Sequence, residues 1–324
     1  MRSLTMGRRV LVFAALVLIA FGLSGAIDAP PESPIGGEPV RFESDDGVSL
    51  LGHVFKPKGT IKGAILFVHE PFRSQRDWAY MAEKMSRHGY VGMVFDLRGH
   101  GDSLMRGDEE LDREIFMDED FEAMNLDLGA ALGVLRSQPG VDADKVHLAG
   151  SDLGGSLCLL RALDDTGVRS VAMLSPGLGY DGVNVMGKVG GLGSKPLLLV
   201  YSVEDGYARK SVEVLGKEVR GPVHVETYYG VGHGSKMLAR EPRLEVLMTS
   251  WFLGTVISVD GRKLDDAGKP VTGAIEAQAG TLDTEEARRQ MEADAREADE
   301  SQAEALKDDE DENKGRRWEL EGED

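Results

Sequence analysis

The sequence predicts an α/β fold in which a mostly parallel, doubly wound sheet has helices on both faces. Between residues 38 and 258, short apolar runs alternate with stretches of helical periodicity, which is the pattern of βαβ units. The chain has 324 residues, enough to bury one sizeable core. In sheets of this kind, ligands bind beyond the C-terminal ends of the strands. Polar residues that follow strands are therefore the candidates for a site.

Eight strands and five helices follow in order from these patterns. The first two strands form a hairpin over residues 38–57, which turns at Asp45, Asp46 and Gly47. The other strands are the runs "AILFVH", "VGMVFD", "KVHLAG", "SVAMLSP", "KPLLLVYSVED" and "HVETYYG". Helices are predicted around Trp78–Met85, over Phe121–Leu135, after Gly150, from about Ala208, and from about Ser235 to Leu253.

The two ends of the chain differ from this middle. Residues 1–26 combine early arginines, a 14-residue apolar run and a small-residue cleavage site, which is typical of a signal peptide. An uncleaved membrane anchor is the alternative, although the run is short for a span of ~20 residues. Residues 27–37 are predicted to be a linker. We expect the mature chain to be exported, to the periplasm or the extracellular space.

The acidic charge is concentrated after residue 258. Residues 259–280 are predicted to be a linker, and residues 281–324 carry 18 acidic and 7 basic side chains. This segment has few large apolar residues, so we expect a partly helical or disordered tail.

The net charge of −19 argues against a nucleic-acid partner. We expect a monomer that acts on a small molecule.

The segment "HLAGSDLGGS" has the form of a tight strand-to-helix turn that carries a nucleophile. Gly150 and Gly154 flank position 152, where neighbouring Cβ atoms would clash. Most chains of this kind have serine between the two glycines, whereas this chain has Asp152. Ser151 stands one residue too early, so its side chain is expected to point away from the turn.

Five motifs in this order resemble the α/β-hydrolase superfamily over about residues 38–255. They are "FVHE", "FDLRGHGDS", "AGSDLGGS", "YSVED" and "GVGHGSKML". The chain is most similar to cap-poor members of the serine-peptidase-like and dienelactone-hydrolase-like branch. The resemblance implies a three-layer α/β-hydrolase fold with an eight-stranded sheet and a minimal cap. It also implies no cofactor, and a site ordered as nucleophile, acid and histidine.

His233 is the candidate histidine for this site. It follows the last predicted strand in a loop with glycine on both sides, from which it can reach the turn at Asp152. The other histidines lie in predicted strands, end a helix, or belong to motifs that are structural in the superfamily: His53, His69, His88, His100, His147 and His224.

Asp205 is the candidate acid. It ends the predicted strand "KPLLLVYSVED", and the superfamily places its orienting carboxylate at the end of this strand. Glu204 is the competing residue next to it. Since consecutive strand positions face opposite ways, only one of the two can point to His233. The expected role of Asp205 is to hold the orientation and tautomer of His233.

An aspartate at position 152 predicts a different first step from that of a serine hydrolase. A carboxylate is already ionised at neutral pH and needs no base to activate it. Asp152 is expected to displace a leaving group from carbon and form an ester, which water activated by His233 then hydrolyses. Haloalkane dehalogenases and epoxide hydrolases resemble this arrangement. Attack on a carboxylic ester is less favourable, because it would form a mixed anhydride.

Two departures from the superfamily pattern favour an alternative, a non-catalytic scaffold that binds a ligand or a partner. Pro71 stands where an N–H normally binds the oxyanion, and proline has none. The remaining candidate donors are the N–H groups of Leu153 and Phe72. Glu70 adds a second carboxylate near Asp152.

The second departure is the short connection over residues 177–194, seven of which are glycines. It offers Tyr180 but no tryptophan to bind a leaving group. A divalent metal held by Asp152, Glu70 and His233 is a further alternative, but no metal-binding motif supports it.

Overall fold

The apolar runs of the sequence form the strands of a ten-stranded sheet in the computed structural model, which describes residues 35–254. The strands of the described residues are β1 (Glu38–Glu43), β2 (Val48–Phe55), β3 (Gly63–Val68), β4 (Tyr90–Phe95), β5 (Met105–Arg106), β6 (Glu109–Glu110), β7 (Val146–Ser151), β8 (Val168–Leu174), β9 (Gly179–Tyr180), β10 (Val183–Asn184), β11 (Leu197–Ser202) and β12 (Val223–Tyr228). Strands β9 and β10 pair only with each other. The predictions for residues 1–34 and 255–324 lie outside the described residues, which leaves the signal peptide and the tail as predictions.

Six α-helices connect or follow these strands in the described part of the chain. They are α1 (Arg76–Arg87), α2 (Asp118–Arg136), α3 (Leu153–Asp164), α4 (Gly206–Glu218), α5 (Lys236–Arg240) and α6 (Pro242–Phe252). None of the helices within residues 35–254 combines the length and the apolar character that a membrane crossing requires.

The sheet has the order β12-β11-β8-β7-β3-β4-β2-β5-β6, with β1 paired to β2. The pairs from β12 to β4 are parallel, and those made by β1, β2, β5 and β6 are antiparallel. Parallel neighbours end at the same edge of the sheet. The residues that follow β3, β7, β8, β11 and β12 therefore share one edge, where the site is expected.

Alternate strand residues pack into two cores, one on each face of the sheet. Along β3, Leu66 and Val68 contribute to one core, whereas Ile65 and Phe67 contribute to the other. Helices α2, α3 and α4 cover the first core, and α1, α5 and α6 cover the second. The three-layer α/β prediction is thereby confirmed.

The structure differs from the prediction in its short strands and in its last helix. The eight predicted strands are present, but β5 and β6 extend the sheet by two short strands of two residues each, and β9 and β10 form a separate two-stranded sheet. The prediction of a single helix from about Ser235 to Leu253 was wrong. The segment forms two helices, since α5 ends before Glu241 and α6 starts at Pro242. Proline has no N–H to donate to the preceding turn, and it suits the first position of a new helix.

A buried ion pair secures the segment after β4. The guanidinium of Arg98 is 2% exposed and donates to Asp127 on α2, with Nη2 2.7 Å from Oδ1. Asp46, in the β1–β2 turn, accepts from the same guanidinium at 2.7 Å and 2.8 Å. Burial lowers the pKa of Arg98, but the bonds to the two carboxylates outweigh it and raise the pKa above the ordinary value. These contacts join three parts of the fold at one charge.

Candidate active site

Asp152 lies at the turn between β7 and α3 with a strained backbone. Its φ is 48° and its ψ is −118°, a conformation that side-chain-bearing residues rarely adopt. Asp152 immediately precedes the first helical residue of α3, so its carboxylate lies at the positive end of that helix. A nucleophile on a tight strand-to-helix turn is expected to have this backbone strain and this position before a helix.

The flanking glycines are required by close backbone contacts. A Cβ at Gly150 would lie 2.4 Å from the backbone of Gly154, and a Cβ at Gly154 would lie 2.4 Å from the carbonyl oxygen of His69. Neither neighbour is a flexible side chain that can move away. The sequence-based explanation of these two glycines is confirmed. Ser151, at the end of β7, is fully buried.

His233 joins the two predicted carboxylates. Its Nδ1 is 2.7 Å from Oδ2 of Asp205, and its Nε2 is 3.5 Å from Oδ2 of Asp152. These distances confirm the prediction that the three side chains converge at the C-terminal edge of the sheet. Glu204 points elsewhere, since its carboxylate accepts from the Gly230 N–H at 3.0 Å.

The charges on this trio favour a protonated imidazole. Hydrogen bonds to Asp152 and then to Asp205 raise the pKa of His233 to about 10, against the opposing effect of its burial. Burial raises the pKa of Asp205, but its hydrogen bonds with His233 and with the Ala208 N–H bring that pKa below the ordinary value. In the resting site, a cationic histidine therefore lies between two carboxylates.

We expect this protonation to depend on the charge of Asp152. An NMR titration of the His233 ring should show an imidazolium at pH 7–8 in the wild type. Asp152→Asn should lower the midpoint toward the ordinary value of 6.5, because the largest cause of the raised pKa, the bond to the Asp152 carboxylate, is removed.

The sign of the stability effect follows from the raised pKa. The stabilisation that the charged His233 adds to the free energy of unfolding is fully present below about pH 6.5. It is lost as the pH rises toward about 10. The same His233 midpoint in the wild type and in Asp152→Asn would contradict this account.

A buried network holds the loop that carries His233. Glu70 follows β3, is 5% exposed, and accepts the Ser235 N–H at 2.8 Å. The Gly234 N–H donates to the Ser175 hydroxyl at 2.9 Å. Glu70, which the sequence predicts as a second carboxylate near Asp152, therefore binds the loop that carries His233.

Ser175, Ser235 and Tyr207 were not identified from the sequence. Ser175 follows β8 and is 1% exposed, with a φ of 47°. The signal available for Ser175 was its position after a strand, which the chain order of nucleophile, acid and histidine does not include. Tyr207 donates its hydroxyl proton to the Gly179 carbonyl at 2.8 Å and accepts the Gly179 N–H at 3.1 Å. It thereby anchors the short connection beside Asp152.

The predicted oxyanion donors, Leu153 and Phe72, follow two neighbouring strands of the sheet, β7 and β3. Leu153 is the first residue of α3, where N–H groups have no partner within the helix. Phe72 has a left-handed backbone, with φ 62°, and its ring lies 4.9 Å from the guanidinium carbon of Arg113. The oxyanion role of both residues stays a prediction.

Tyr180 borders the site from the short connection after β8. Burial, followed by the negative charges of Asp152 and Asp181, raises the pKa of its phenol to about 12. A Cβ at Gly177 would lie 3.1 Å from the Tyr207 ring and 3.7 Å from Oδ1 of Asp152, so Tyr207 borders the site as well. Two tyrosines therefore lie near the Asp152 carboxylate.

The two histidines after β3 and β4 have structural contacts. His69 is fully buried and donates from Nδ1 to the Glu70 carbonyl, while its Nε2 accepts the Leu97 N–H. His100 donates from Nδ1 to the Arg98 carbonyl. Burial lowers the pKa of each to about 4, so both are neutral. In residues 35–254, no cluster of three or more histidine, cysteine or acidic side chains is arranged to hold a metal ion.

Comparisons with known proteins agree with this fold. A family model described as "Alpha/beta hydrolase family" matches residues 65–293. A dienelactone hydrolase from Anabaena variabilis has the same fold, with a TM-score of 0.51 and 18% identity over 67% of this chain and 98% of its own.

Two curated relatives share parts of the sequence. The thiohydrolase aneE of Aspergillus aculeatus is 28% identical over 141 residues, and the quorum-quenching protein AidA of Acinetobacter baumannii is 25% identical over 196 residues. These matches cover 42% and 55% of this chain. The chain spans 41% of the first relative and 60% of the second.

Proposed function

The chain belongs to the alpha/beta hydrolase family, and on this premise we propose that it hydrolyses a small molecule through a covalent ester on Asp152. The observation that carries the proposal is His233, held between Asp152 at the strained turn and Asp205. The names of the two curated relatives, a thiohydrolase and a quorum-quenching protein, also favour an enzyme.

In the first step, an oxygen of the Asp152 carboxylate attacks the carbon that bears the leaving group. A C–O bond forms as the bond to the leaving group breaks, and the leaving group departs with the electron pair. A carboxylate nucleophile at the N-terminus of α3 needs no base to activate it for this step. Besides burial, the charge of the nearby Asp152 carboxylate raises the pKa of Tyr180, so its hydroxyl is the candidate to stabilise the departing group. The Tyr207 hydroxyl already donates to the Gly179 carbonyl.

Ester formation changes the protonation of the histidine. The ester of Asp152 carries no charge, so the main cause of the raised His233 pKa disappears and the imidazole loses its proton to solvent or to the leaving group. Neutral His233 then takes a proton from a water molecule, which attacks the ester carbonyl. Asp205 holds the ring and stabilises the new imidazolium.

The second step restores the enzyme. The tetrahedral oxyanion on Asp152 is stabilised by the Leu153 N–H, at the first turn of α3. Its collapse breaks the bond to the product oxygen, which takes a proton from the His233 imidazolium and leaves as an alcohol, and the carboxyl group of Asp152 then returns its own proton to His233. The regenerated carboxylate then contains one oxygen atom from water.

The alternative function is a scaffold that binds a ligand without turning it over. Pro71 favours it, because an oxyanion donor is missing at that position. In that case Asp152 replaces an ancestral serine. The two functions predict opposite results for substrate turnover by the wild type and by the Asp152→Ser variant.

A substrate panel distinguishes the two. The wild type and Asp152→Ser are assayed for halide release from haloalkanes, opening of epoxides, and cleavage of esters and thioesters. We expect wild-type turnover on compounds with a leaving group on saturated carbon. No wild-type turnover on any class, together with ester cleavage gained by Asp152→Ser, would establish the scaffold instead.

We propose that this chemistry takes place outside the cytoplasm. The proposal rests on residues 1–26 alone, whose charged start, apolar run and small-residue site have the form of an export signal.

A further inference from the structure

Glu70 occupies a buried position between two loops of the site. It follows β3 and is 5% exposed, and its carboxyl fills the space beside Gly234, where a Cβ would lie 2.3 Å from Oε2. The Ser235 N–H donates to Oε2 at 2.8 Å. The loop after β3 is thus attached directly to the loop that carries His233.

The Ser235 hydroxyl lies between two carboxyl groups. Its Oγ is 3.1 Å from Oε1 of Glu70 and 2.7 Å from Oδ2 of Asp77. A hydroxyl has one proton and donates one hydrogen bond. Both contacts are hydrogen bonds only if one of the two carboxyls carries a proton and donates it to Oγ.

Asp77 is the carboxyl that pairs with an arginine. The guanidinium of Arg73 donates to both of its oxygens, at 2.7 Å and 2.8 Å. A bidentate arginine stabilises the charged form of a carboxylate. Among the described residues, Glu70 has no ion pair of this kind within 4.0 Å, and it is more deeply buried.

We propose that Glu70 is a neutral carboxylic acid in the folded protein and that, in this form, it positions the loop carrying His233. Its Oε1–H donates to the Ser235 hydroxyl, which donates its own proton to Asp77. The Ser235 N–H donates to Oε2 of Glu70. In this series of hydrogen bonds, every donor has one acceptor. The only charged carboxyl in the series is that of Asp77, which Arg73 balances.

The surroundings of Glu70 agree with the neutral form. Burial raises its pKa, and the charge of Asp77 on α1 acts in the same direction. The Ser151 hydroxyl on β7, the Ser235 N–H and the His233 charge act the other way without reversing the shift. Ionised Glu70 would place a second negative charge against the Ser235 hydroxyl and would weaken the attachment of the histidine loop.

This inference goes beyond the proposed function, because it stands whether Asp152 is a nucleophile or not. The site then carries two carboxylates around His233 rather than three. It also answers the concern that Glu70 would oppose the ionisation of Asp152.

The test uses the full chain and needs no substrate. Infrared spectra of wild type and Glu70→Gln are compared at pH 7, with and without carbon-13-labelled glutamate. We expect a protonated-carboxyl carbonyl band in the wild type that shifts with the label and is lost in the variant. The label excludes the buried aspartates. A spectrum with no such difference would overturn the proposal.

Thermal melts test the positioning role, with Glu70→Ala as the comparison. Glutamine reproduces the neutral pattern, because its oxygen accepts the Ser235 N–H and its NH₂ donates to Oγ. We expect Glu70→Gln to melt at or above the wild type at pH 7, and Glu70→Ala to melt roughly 4–8 °C lower. A Glu70→Gln protein that melts as low as Glu70→Ala would show that the carboxylate is ionised.

The pH dependence gives the sign of the effect. Because the folded-state pKa of Glu70 is above the ordinary value of 4.5, the wild type loses stability relative to Glu70→Gln as the pH rises from there. The difference in melting temperature should therefore be smallest near pH 4.5 and should grow toward neutral pH. A difference that shrinks over this range would contradict the proposal.

Discussion

Asp152→Asn is expected to lower kcat at least about 10³-fold for any substrate that the wild type hydrolyses. Asparagine preserves the size of the side chain at the turn but is not a nucleophile. It also removes the charge that keeps His233 protonated. Initial rates on the best substrate of the panel measure the effect.

The control for this prediction is the fold of the variant. Asp152→Asn should give the circular dichroism spectrum and melting behaviour of a folded protein, and mass spectrometry should confirm that the asparagine has not deamidated. His233→Gln is the matched variant at the second step. It should accumulate protein that carries the alkyl group of the substrate, because the ester forms but is not hydrolysed. Undiminished turnover in Asp152→Asn would remove Asp152 from the mechanism.

Asp127→Ala is expected to lower the free energy of unfolding by about 3–5 kcal/mol. The substitution removes one carboxylate from the buried guanidinium of Arg98, which is 2% exposed. Asp46 alone then has to balance the charge, and its side chain is 29% exposed at the surface. Burial raises the pKa of Asp127 to about 6 despite its bonds to Arg98, so the pair is costly to desolvate even when intact. Denaturant titration at pH 7 measures the loss.

The control for Asp127→Ala is an ion pair at the surface. Glu83 and Arg87 form an i,i+4 pair on α1 with side chains 53% and 61% exposed. Glu83→Ala should change the free energy of unfolding by less than about 1 kcal/mol. A similar small change in Asp127→Ala would show that Arg98 is solvated or paired in another way.

Local sequence patterns were enough to find the strands and the three converging side chains. Asp152, Asp205 and His233 each follow a strand, and parallel strands end at one edge, so their order along the chain predicted their meeting. The glycines around Asp152 were predicted for the same reason, since a tight turn before a helix leaves no room for Cβ atoms.

The supporting network was not predictable, because it depends on contacts between distant segments. Glu70 and Ser235 are 165 residues apart, and nothing in either motif indicates that one binds the other. Ser175 is one serine among many in the sequence, and its role appears only when β8 places it beneath the histidine loop. The break at Pro242 was predictable in principle, but the apolar periodicity on both sides favoured a continuous helix.

Oxygen-18 incorporation into Asp152 is the most direct test of a covalent ester. The wild type is incubated in heavy-oxygen water with its substrate over many turnovers, and the peptide that contains Asp152 is then weighed by mass spectrometry. The proposed mechanism predicts labelled oxygen in the Asp152 carboxylate, since water attacks the ester carbonyl, and no label in a sample without substrate. Full turnover that labels the product but leaves Asp152 unlabelled would contradict the mechanism.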